Sequence, residues 1–263
     1  MRMKANISGI NIGYEIHGHE GVPLVLIHGF ALNRKIWLPL VKKFFHNQMV
    51  VLPDLRGHGE SDAPEGPYPM SLLAEDMVNL LEFLDIPKAV ISGHSMGGYA
   101  TLAFAENYPH KLSGIGLITT RAEADTEAGR KGRYEMVEKV RMQGALPLAE
   151  SLGPRLTKNE HLAQEMRAML AKSPPAGIIG ALEGMAERPD CWHLLPKFEA
   201  PALVVAGQED QIIDPESAQQ IAEALPNGSF LSIPQAGHLP MLETPEALGK
   251  GLFSLLKQVE TLA

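Results

Sequence analysis

The sequence predicts an α/β fold: a mostly parallel sheet of about eight strands with helices on both faces and a helical insertion. Three observations lead to this prediction. Short apolar runs alternate with helix-like segments along most of the chain, and parallel neighbours in a sheet need such crossover connections. One of these runs ends in a Gly-X-Ser-X-Gly turn that opens onto helix-forming residues. Residues 121–195, in contrast, contain helix-like segments without a convincing strand.

The strand-like segments of the N-terminal part begin with a hairpin. Residues 7–16 contain two short alternating runs broken at Ser8-Gly9, a pattern typical of a hairpin turn. Residues 24–27 form a continuous apolar run, as expected of a strand that is covered on both faces in the middle of a sheet. Residues 49–53 predict the next strand.

Helices and strands are also predicted on both sides of the Gly-X-Ser-X-Gly turn. Apolar residues recur at helical spacing over residues 72–84 and predict an amphipathic helix. Val90 and Ile91 suit a buried strand before the turn, and residues 99–106 predict the helix after it. Residues 114–118 predict the following strand.

Residues 121–195 are predicted to form a helical insertion in the α/β core, and we call this segment the cap. Prolines separate its helix-like segments, as expected of short helices joined by tight corners. The predicted cap helices are residues 127–142, 146–152, 160–171 and 176–186. The predicted core is therefore made of residues 1–120 and 196–263.

The alternation of strands and helices returns after the cap. Residues 202–206 predict a strand, residues 215–224 a helix and residues 230–233 the last strand. A closing helix is predicted over residues 245–259. We expect the two strands to extend the parallel sheet, because a helix lies between them.

The composition argues against several classes of partner. The net charge is −8 and no Lys/Arg cluster occurs, so we predict no binding to nucleic acid. No uninterrupted apolar stretch is long enough to span a bilayer, and the N-terminus lacks the apolar core of a signal peptide. The single cysteine, Cys191, cannot form an intrachain disulfide, so the sequence gives no sign of an oxidising compartment. From these observations together we predict a cytoplasmic protein that does not bind a membrane.

The sequence also lacks the signatures of common cofactor sites. It contains no metal-ligand spacing and no nucleotide-binding glycine pattern, so we predict neither a metal nor another cofactor. The pattern specifies no oligomeric state. The predicted partner is a small molecule.

Ser95 lies on the turn between a predicted strand and a predicted helix. A strand that reverses into a helix within one or two residues forces strained backbone angles and brings chain segments close together. Gly93 and Gly97 flank the serine, and glycine tolerates both conditions. The turn should lift the hydroxyl above the sheet edge and direct the first amides of the helix towards the group that Ser95 attacks.

Other chemically useful groups also follow predicted strands, and ligands bind at the strand ends of a parallel sheet. These groups are His28-Gly29-Phe30, Asp210 and His238. A serine needs a base to remove its proton, and a histidine oriented by a carboxylate serves well near neutral pH. The chain order Ser95, Asp210, His238 is the order found with this type of turn.

Neighbouring acidic residues and other histidines compete for these roles. The competitors of Asp210 are Glu209 and Asp214, and an acidic residue near a helix start is often only a cap. The competitors of His238 are His28, His58 and His94, which we interpret as residues that shape their own loops.

Five motifs resemble the α/β-hydrolase superfamily, in the right order and strand context over essentially the whole chain. They are His28-Gly29-Phe30, Asp-Leu-Arg-Gly-His-Gly-Glu-Ser at residues 54–61, Gly-His-Ser-Met-Gly-Gly at residues 93–98, Gly-Gln-Glu-Asp at residues 207–210 with Pro215 after it, and Gly237-His238. Residues 120–126 also resemble the branch of small esterases and enol-lactonases. Within the second motif, Asp54 and Arg56 are interpreted as an ion pair that holds the loop.

The resemblance implies a role for each residue of the site. Ser95 is the implied nucleophile, His238 the general base and then acid, and Asp210 the carboxylate that orients it. The backbone N–H groups of Phe30 and Met96 are the implied oxyanion hole. The candidates for lining the substrate pocket are His28, Gly29, Trp37, Arg121 and Met142.

The predicted function is hydrolysis of carboxylic esters or lactones through an acyl-enzyme. Serine at position 95 argues against the dehalogenases and epoxide hydrolases of the superfamily, which place an aspartate there. Carbon–carbon bond hydrolases and cofactor-free haloperoxidases or perhydrolases share the triad and are alternatives, and a slow or non-catalytic ligand receptor is an alternative from another class. The apolar cap residues predict a modest, hydrophobic acyl or alcohol group.

Overall fold

An eight-stranded sheet forms the centre of the protein in a computed structural model, which describes residues 2–262. The strands are β1 Arg2–Ile7, β2 Ile10–His17, β3 Glu20–Ile27, β4 Gln48–Pro53, β5 Ala89–His94, β6 Leu112–Ile118, β7 Ala202–Gly207 and β8 Gly228–Ile233. Their order in the sheet is β1-β2-β4-β3-β5-β6-β7-β8. The pairs β1–β2 and β2–β4 are antiparallel, whereas the other neighbours are parallel.

The central strands carry continuous apolar runs because helices cover both faces of the sheet. Every residue of β5 and of β7 is buried, and Leu24 of β3 lies opposite Val90 of β5. The strands from β3 to β8 run in the same direction, so their carboxyl ends meet at one edge of the sheet. The loops that contain Ser95, Asp210 and His238 leave the sheet at this edge.

Helices connect the strands and confirm the predicted fold class. The α-helices of the described chain are α1 Leu38–Phe44, α2 Met70–Phe83, α3 Met96–Asn107, α4 Glu127–Gln143, α5 Leu146–Leu156, α6 Glu160–Leu170, α7 Pro175–Ala186, α8 Pro215–Ala224, α9 Pro240–Glu243 and α10 Pro245–Leu262. Short 3₁₀ segments add Arg34–Trp37, Pro109–Lys111 and Trp192–Lys197. No helix within residues 2–262 is long and apolar enough to cross a membrane.

Several element boundaries differ from the prediction, and tertiary packing explains two of these differences. Helix α3 begins at Met96, directly after the turn, whereas the predicted helix starts at residue 99. Gly97 and Gly98 lower the local helix propensity, but close contacts to neighbouring loops require glycine there. Strand β1 begins at Arg2, because its pairing with β2 continues beyond the predicted hairpin arm to Glu15.

Four helices and no strand lie between β6 and β7 in the described chain, within the predicted cap. Helix α4 packs against α7, and α5 packs against α6. Leu194 and Leu195, on the cap side of the predicted boundary, pack in a cluster with Val204 of β7 and Ile221 of α8. The division of the chain at residues 120 and 196 stays a prediction.

A buried arginine ties together the loops that follow β3 and β4. The Arg34 side chain is 1% exposed and contacts the carboxylates of Glu15, Asp54 and Glu60. One Asp54 oxygen accepts the Arg34 N–H at 2.8 Å, and the other accepts the Glu60 N–H at 2.8 Å. Asp54 therefore fixes the polar loop at residues 54–61 against the segment that follows β3.

The predicted ion pair between Asp54 and Arg56 is wrong. Arg56 pairs instead with Asp76 of α2, through hydrogen bonds of 2.5 and 2.6 Å. Asp54 and Arg56 both hold the loop, as predicted, but Asp54 does so by contacting Arg34 and Arg56 by contacting Asp76. The partners come from distant parts of the chain, so the sequence spacing of Asp54 and Arg56 carried no information on the pairing.

We expect Arg34→Met to lower the free energy of unfolding by about 3–5 kcal/mol, because it leaves the buried Asp54 carboxylate without its cation. Urea unfolding followed by circular dichroism measures this loss. The matched control is Arg141→Met, since Arg141 is half exposed and pairs with Glu138 of α4 and Glu183 of α7 near the surface, where such pairs contribute about 1 kcal/mol or less. Equal losses in the two variants would contradict the role of Arg34.

Candidate active site

Ser95 occupies a strained turn between β5 and α3. Its backbone angles are φ 53° and ψ −116°, a conformation that non-glycine residues rarely adopt. The close packing of α3 against the end of β3 maintains this turn. A Cβ atom on Gly97 would lie 2.6 Å from the His28 carbonyl oxygen and 2.7 Å from that of Ile27, so only glycine fits.

Thr120, which follows β6, supports the turn from the other side. Its hydroxyl donates a hydrogen bond of 2.8 Å to the Ser95 carbonyl oxygen. Its side chain also contacts Gly98 so closely that a Cβ atom there would lie 2.5 Å from Thr120. The Ser95 N–H donates to the Ile118 carbonyl at 2.9 Å. The turn is therefore fixed by β3 and β6 as well as by its own glycines.

His238 and Asp210 form a buried pair. The His238 Nδ1 atom lies 2.8 Å from Asp210 Oδ2, and both side chains are 2% exposed. The other Asp210 oxygen accepts the N–H groups of Ile212 and Ile213 at 2.7 and 3.1 Å. Because a carboxylate accepts, Nδ1 carries the proton, and Nε2 is left free to act as a base.

The acidic competitors of Asp210 have other contacts. Asp214 caps α8 by accepting the Glu216 N–H at 3.0 Å. Glu209 is partly exposed and pairs with Lys158 at 3.1 Å. Of the acidic residues in this described loop, only Asp210 contacts His238.

Ser95 and His238 line the same cavity. Among the described residues, no hydrogen bond joins the Ser95 hydroxyl to the His238 ring, so a direct contact between them stays a prediction. Catalytic hydrogen bonds are often long in the free enzyme and tighten only when the substrate binds.

Three other histidines are buried around this pair and are kept neutral. Burial lowers the pKa of His28 to about 4 and that of His58 to about 3, and it holds the pKa of His94 well below 6.5. The His28 ring contacts its neighbouring Gly29 carbonyl at 2.8 Å and accepts the Leu55 N–H at 2.9 Å. The neutral His28 ring therefore links two loops, whereas His58 contacts the Arg56 carbonyl within its own loop.

His94 does more than shape its own loop, contrary to the prediction. Its Nε2 donates to the His238 carbonyl oxygen at 2.7 Å, and the Thr119 hydroxyl donates to the same oxygen at 3.1 Å. The rings of His94 and His238 also lie 4.8 Å apart. His94 and Thr119 thus hold the backbone of the loop that carries His238.

The N–H groups of Phe30 and Met96 are available for an oxyanion. Met96 is the first residue of α3, so its N–H has no partner within the helix. Among the described residues neither N–H donates to a backbone or side-chain acceptor. Gly97 packs on the end of β3, which brings the loop of Phe30 next to the first turn of α3. The predicted oxyanion hole is therefore sterically possible at this position and stays a prediction.

The cavity beside Ser95 has a volume of about 280 Å³ and lies between core and cap. Its core lining includes Phe30, Leu32, Tyr99, Ile212 and His238, and its cap lining includes Met136, Leu148, Leu152, Leu156, Leu182 and Met185. A neighbouring cavity of about 360 Å³ shares Tyr99 and Arg121 but touches neither Ser95 nor His238. The smaller cavity is therefore the one that Ser95 and His238 line.

The five predicted pocket residues lie in different places. Arg121 lines the cavity. His28, Gly29 and Trp37 do not line it, contrary to the prediction: His28 and Trp37 are fully buried, and Gly29 packs against the His94 ring and the Cβ atom of Ser95. Met142 does not line the cavity, contrary to the prediction, because it lies 72% exposed on the outer side of α4.

Arginine side chains give the cavity a positive charge. Arg121, Arg133 and Arg155 line it, whereas no acidic residue of the described chain does. The sequence analysis named Arg121 and missed the other two. The Arg133 side chain pairs with Asp125, which also pairs with Arg188. Within the described chain, Arg155 donates to the Gln211 carbonyl at 3.1 Å and pairs with no acidic residue, and the buried Nε atom of Arg121 has no hydrogen-bond partner.

The chain belongs to the alpha/beta hydrolase family, whose model matches residues 24–249. It is similar to a thermophilic esterase from Thermogutta terrifontis, with 37% identity, a TM-score of 0.93 and coverage of 98% of this chain and 99% of that chain. It is also 26% identical to 3-oxoadipate enol-lactonase 2 of Acinetobacter baylyi, over 95% of this chain and 94% of that protein. A putative non-heme bromoperoxidase of Mycobacterium tuberculosis is 28% identical, over 95% of this chain and 99% of that protein. The predicted superfamily is thereby confirmed.

His58 makes stability depend on pH. Because its pKa falls from 6.5 to about 3 on folding, the unfolded chain binds more protons than the folded protein between these values. The free energy of unfolding must therefore decrease as the pH falls below about 6.5, by about 1.4 kcal/mol per unit for this group. His58→Asn removes the titration and keeps a donor for the Arg56 carbonyl. Between about pH 6.5 and pH 5, we expect the free energy of unfolding of this variant to fall by about 2 kcal/mol less than that of the wild type.

Urea unfolding at the two pH values measures this difference. The control is His110→Asn, because His110 is exposed in a short 3₁₀ segment and should leave the wild-type pH dependence unchanged. An equal pH dependence in the wild type and His58→Asn would show that His58 is not kept neutral by folding.

Proposed function

We propose that the protein is a serine hydrolase of carboxylic esters or lactones, with Ser95, His238 and Asp210 as its catalytic triad. The observation that carries this proposal is the 2.8 Å contact between His238 and Asp210 beside a cavity that Ser95 lines from a strained turn. Membership of the alpha/beta hydrolase family supports it, as does the similarity to an esterase and an enol-lactonase.

The reaction proceeds in two steps. The Ser95 oxygen bonds to the substrate carbonyl carbon while His238 accepts the serine proton, and the N–H groups of Phe30 and Met96 stabilise the oxyanion. The protonated His238 then gives its proton to the leaving alcohol oxygen as the carbon–oxygen bond breaks, which leaves an acyl-enzyme. Water, deprotonated by His238, attacks the acyl group, and the acid leaves as the proton returns to Ser95. Asp210 stabilises the imidazolium that forms in each step.

We expect Ser95→Ala to lower kcat for p-nitrophenyl butyrate by several orders of magnitude, comparable to about 10⁶-fold for removal of a triad serine. The loss follows because no other group on the strained turn can attack the carbonyl. A spectrophotometric assay of p-nitrophenol release measures it. The matched control is Ser254→Ala, since Ser254 is exposed on α10. Full activity of purified Ser95→Ala would reject Ser95 as the nucleophile.

Substrate comparison separates this proposal from its alternatives. A panel of simple esters and lactones is assayed beside a dienone acid, which a carbon–carbon bond hydrolase cleaves, and beside peracid formation. Because the chain is similar to a putative bromoperoxidase, peracid formation is a second candidate activity. Labelling of Ser95 by a fluorophosphonate without turnover of any substrate would favour a ligand receptor instead.

We further propose that the substrate carries a negative charge in addition to its ester or lactone group. Among the described residues, no acidic side chain pairs with Arg155 and no acceptor meets the buried Nε of Arg121, so a carboxylate in the cavity would give either arginine a partner. Asp125 offsets much of the charge of Arg133, which therefore contributes less. The Thermogutta terrifontis esterase was solved with malate bound, and malate is a dicarboxylate. The apolar cap side chains then accommodate the rest of the substrate.

We expect Arg155→Gln to raise KM about tenfold for a carboxylate-bearing ester such as a succinate monoester, and to leave KM for the neutral butyrate ester nearly unchanged. The reason is the loss of a charge-assisted contact that a neutral substrate does not make. The control is Arg167→Gln, because Arg167 pairs with the exposed Glu150 and does not line the cavity. Parallel changes for both substrates would contradict charge recognition by Arg155.

A further inference from the structure

We infer that Glu243 is a positioning residue that holds His238 in its productive place and connects it to the cap; this inference rests on the proposed function. Glu243 is the last residue of α9, a short helix that begins two residues after His238. One of its carboxylate oxygens, Oε2, accepts the N–H of Gly237 at 2.9 Å and the N–H of Leu239 at 3.0 Å. A single side chain thus holds the backbone on both sides of His238.

The loop needs such a side chain because it is buried and has no regular structure. Residues 236–240 are all buried, and the residues from β8 to α9 form no strand or helix in the described chain. A buried N–H must find an acceptor, and no sheet or helix provides one for Gly237 or Leu239. Since Gly237 and Leu239 flank His238 directly, their position fixes the direction from which the imidazole leaves the backbone.

The same carboxylate reaches the cap. Its second oxygen, Oε1, accepts the hydroxyl of Thr157 at 2.5 Å, and Thr157 directly follows α5. The carbonyl of Leu156, the last residue of α5, accepts the N–H of His238 itself at 3.2 Å. The C-terminal end of α5 is therefore bonded to the histidine loop twice, once directly and once through Glu243.

The end of α5 also lines the cavity. Leu152, Arg155 and Leu156 contribute to its wall. A substrate that packs against these residues therefore contacts the same helical turn that holds the His238 backbone. Glu243 consequently couples the position of the cap to the alignment of His238 with Asp210 and Ser95.

The test compares Glu243→Leu with Glu243→Gln. Leucine has a similar volume but accepts no hydrogen bond, whereas the glutamine carbonyl oxygen can accept both backbone N–H groups and its amide can donate to Thr157. We expect Glu243→Leu to lower kcat for p-nitrophenyl butyrate about 30-fold or more, with KM within about twofold of the wild type. Glu243→Gln should recover most of this loss. The matched control is Glu260→Leu, because Glu260 is exposed near the end of α10.

Two further measurements separate positioning from a general structural role. The rate of Ser95 labelling by a fluorophosphonate should fall with kcat in folded Glu243→Leu, because labelling requires an aligned His238 but no cap-specific substrate. Thr157→Val should lower kcat about threefold to tenfold and Thr157→Ser less, since serine keeps the hydroxyl that reaches Glu243. Circular dichroism and urea unfolding establish that each variant is folded.

Each outcome decides the inference. Wild-type kcat and labelling in a folded Glu243→Leu would overturn it, as would equal losses for the leucine and glutamine variants. If Glu243→Leu does not fold, the inference is tested by the two Thr157 variants. Equal kcat values in Thr157→Val and Thr157→Ser would then overturn the connection between Glu243 and the cap. Ser95→Ala is measured alongside: full activity there rejects the proposed function itself, whereas an inactive Ser95→Ala with an active Glu243→Leu rejects only the role of Glu243.

Discussion

Close packing of three chain segments around Ser95 is the constraint on which the rest of the site depends. The first turn of α3 touches the end of β3 at Gly97 and the end of β6 at Gly98, at distances that no other residue would allow. Positive φ angles occur at Ser95, at Ala31 after β3 and at Thr119 after β6. Strained residues of this kind persist only when the surrounding structure determines their conformation. Here the parallel sheet provides that support, because all three segments leave neighbouring strands at the same edge.

This packing also decides how charge is distributed near the site. Buried His28, His58 and His94 are held neutral, so His28 and His94 supply hydrogen bonds between loops, and His58 one within its own loop, without adding charge. The buried Asp210 carboxylate accepts hydrogen bonds from two backbone N–H groups and from His238. In the described chain, Arg121, Arg133 and Arg155 line the wall of the cavity, and no acidic residue does. An anionic group in the cavity would therefore be attracted to this wall.

The sequence predicted those features that are encoded by residues next to one another. The strand, turn and helix around Ser95 are signalled by an apolar run and by glycines, and Asp210 and His238 are signalled by their positions after strands. The mostly parallel sheet of about eight strands and the four helical segments of the cap followed from the same local patterns. Features that depend on which distant segments meet could not be predicted in this way.

Several particular residues illustrate this limit. Asp54 and Arg56 have charges that suit each other, but their partners are Arg34 and Asp76, which only the folded chain brings near. Met142 lies on a predicted helix whose rotation relative to the core is not encoded in its own sequence, and it faces outwards. Arg133 and Arg155 line the cavity, and their orientation likewise depends on how the cap helices are rotated relative to the core. Periodicity identifies a helical face, but it does not identify the surface that the face meets.

The cap is therefore part of the histidine's environment as well as part of the cavity wall. The α/β core alone would leave the His238 N–H and one Glu243 oxygen without the partners that Leu156 and Thr157 provide. An unpaired N–H at this buried position would be costly, so the end of α5 and the histidine loop favour one common arrangement. Sequence changes near residues 152–157 would then alter substrate fit and His238 alignment together. In a fold whose core is shared by many chemistries, the end of α5 thus joins the wall of the cavity to the backbone of the histidine loop.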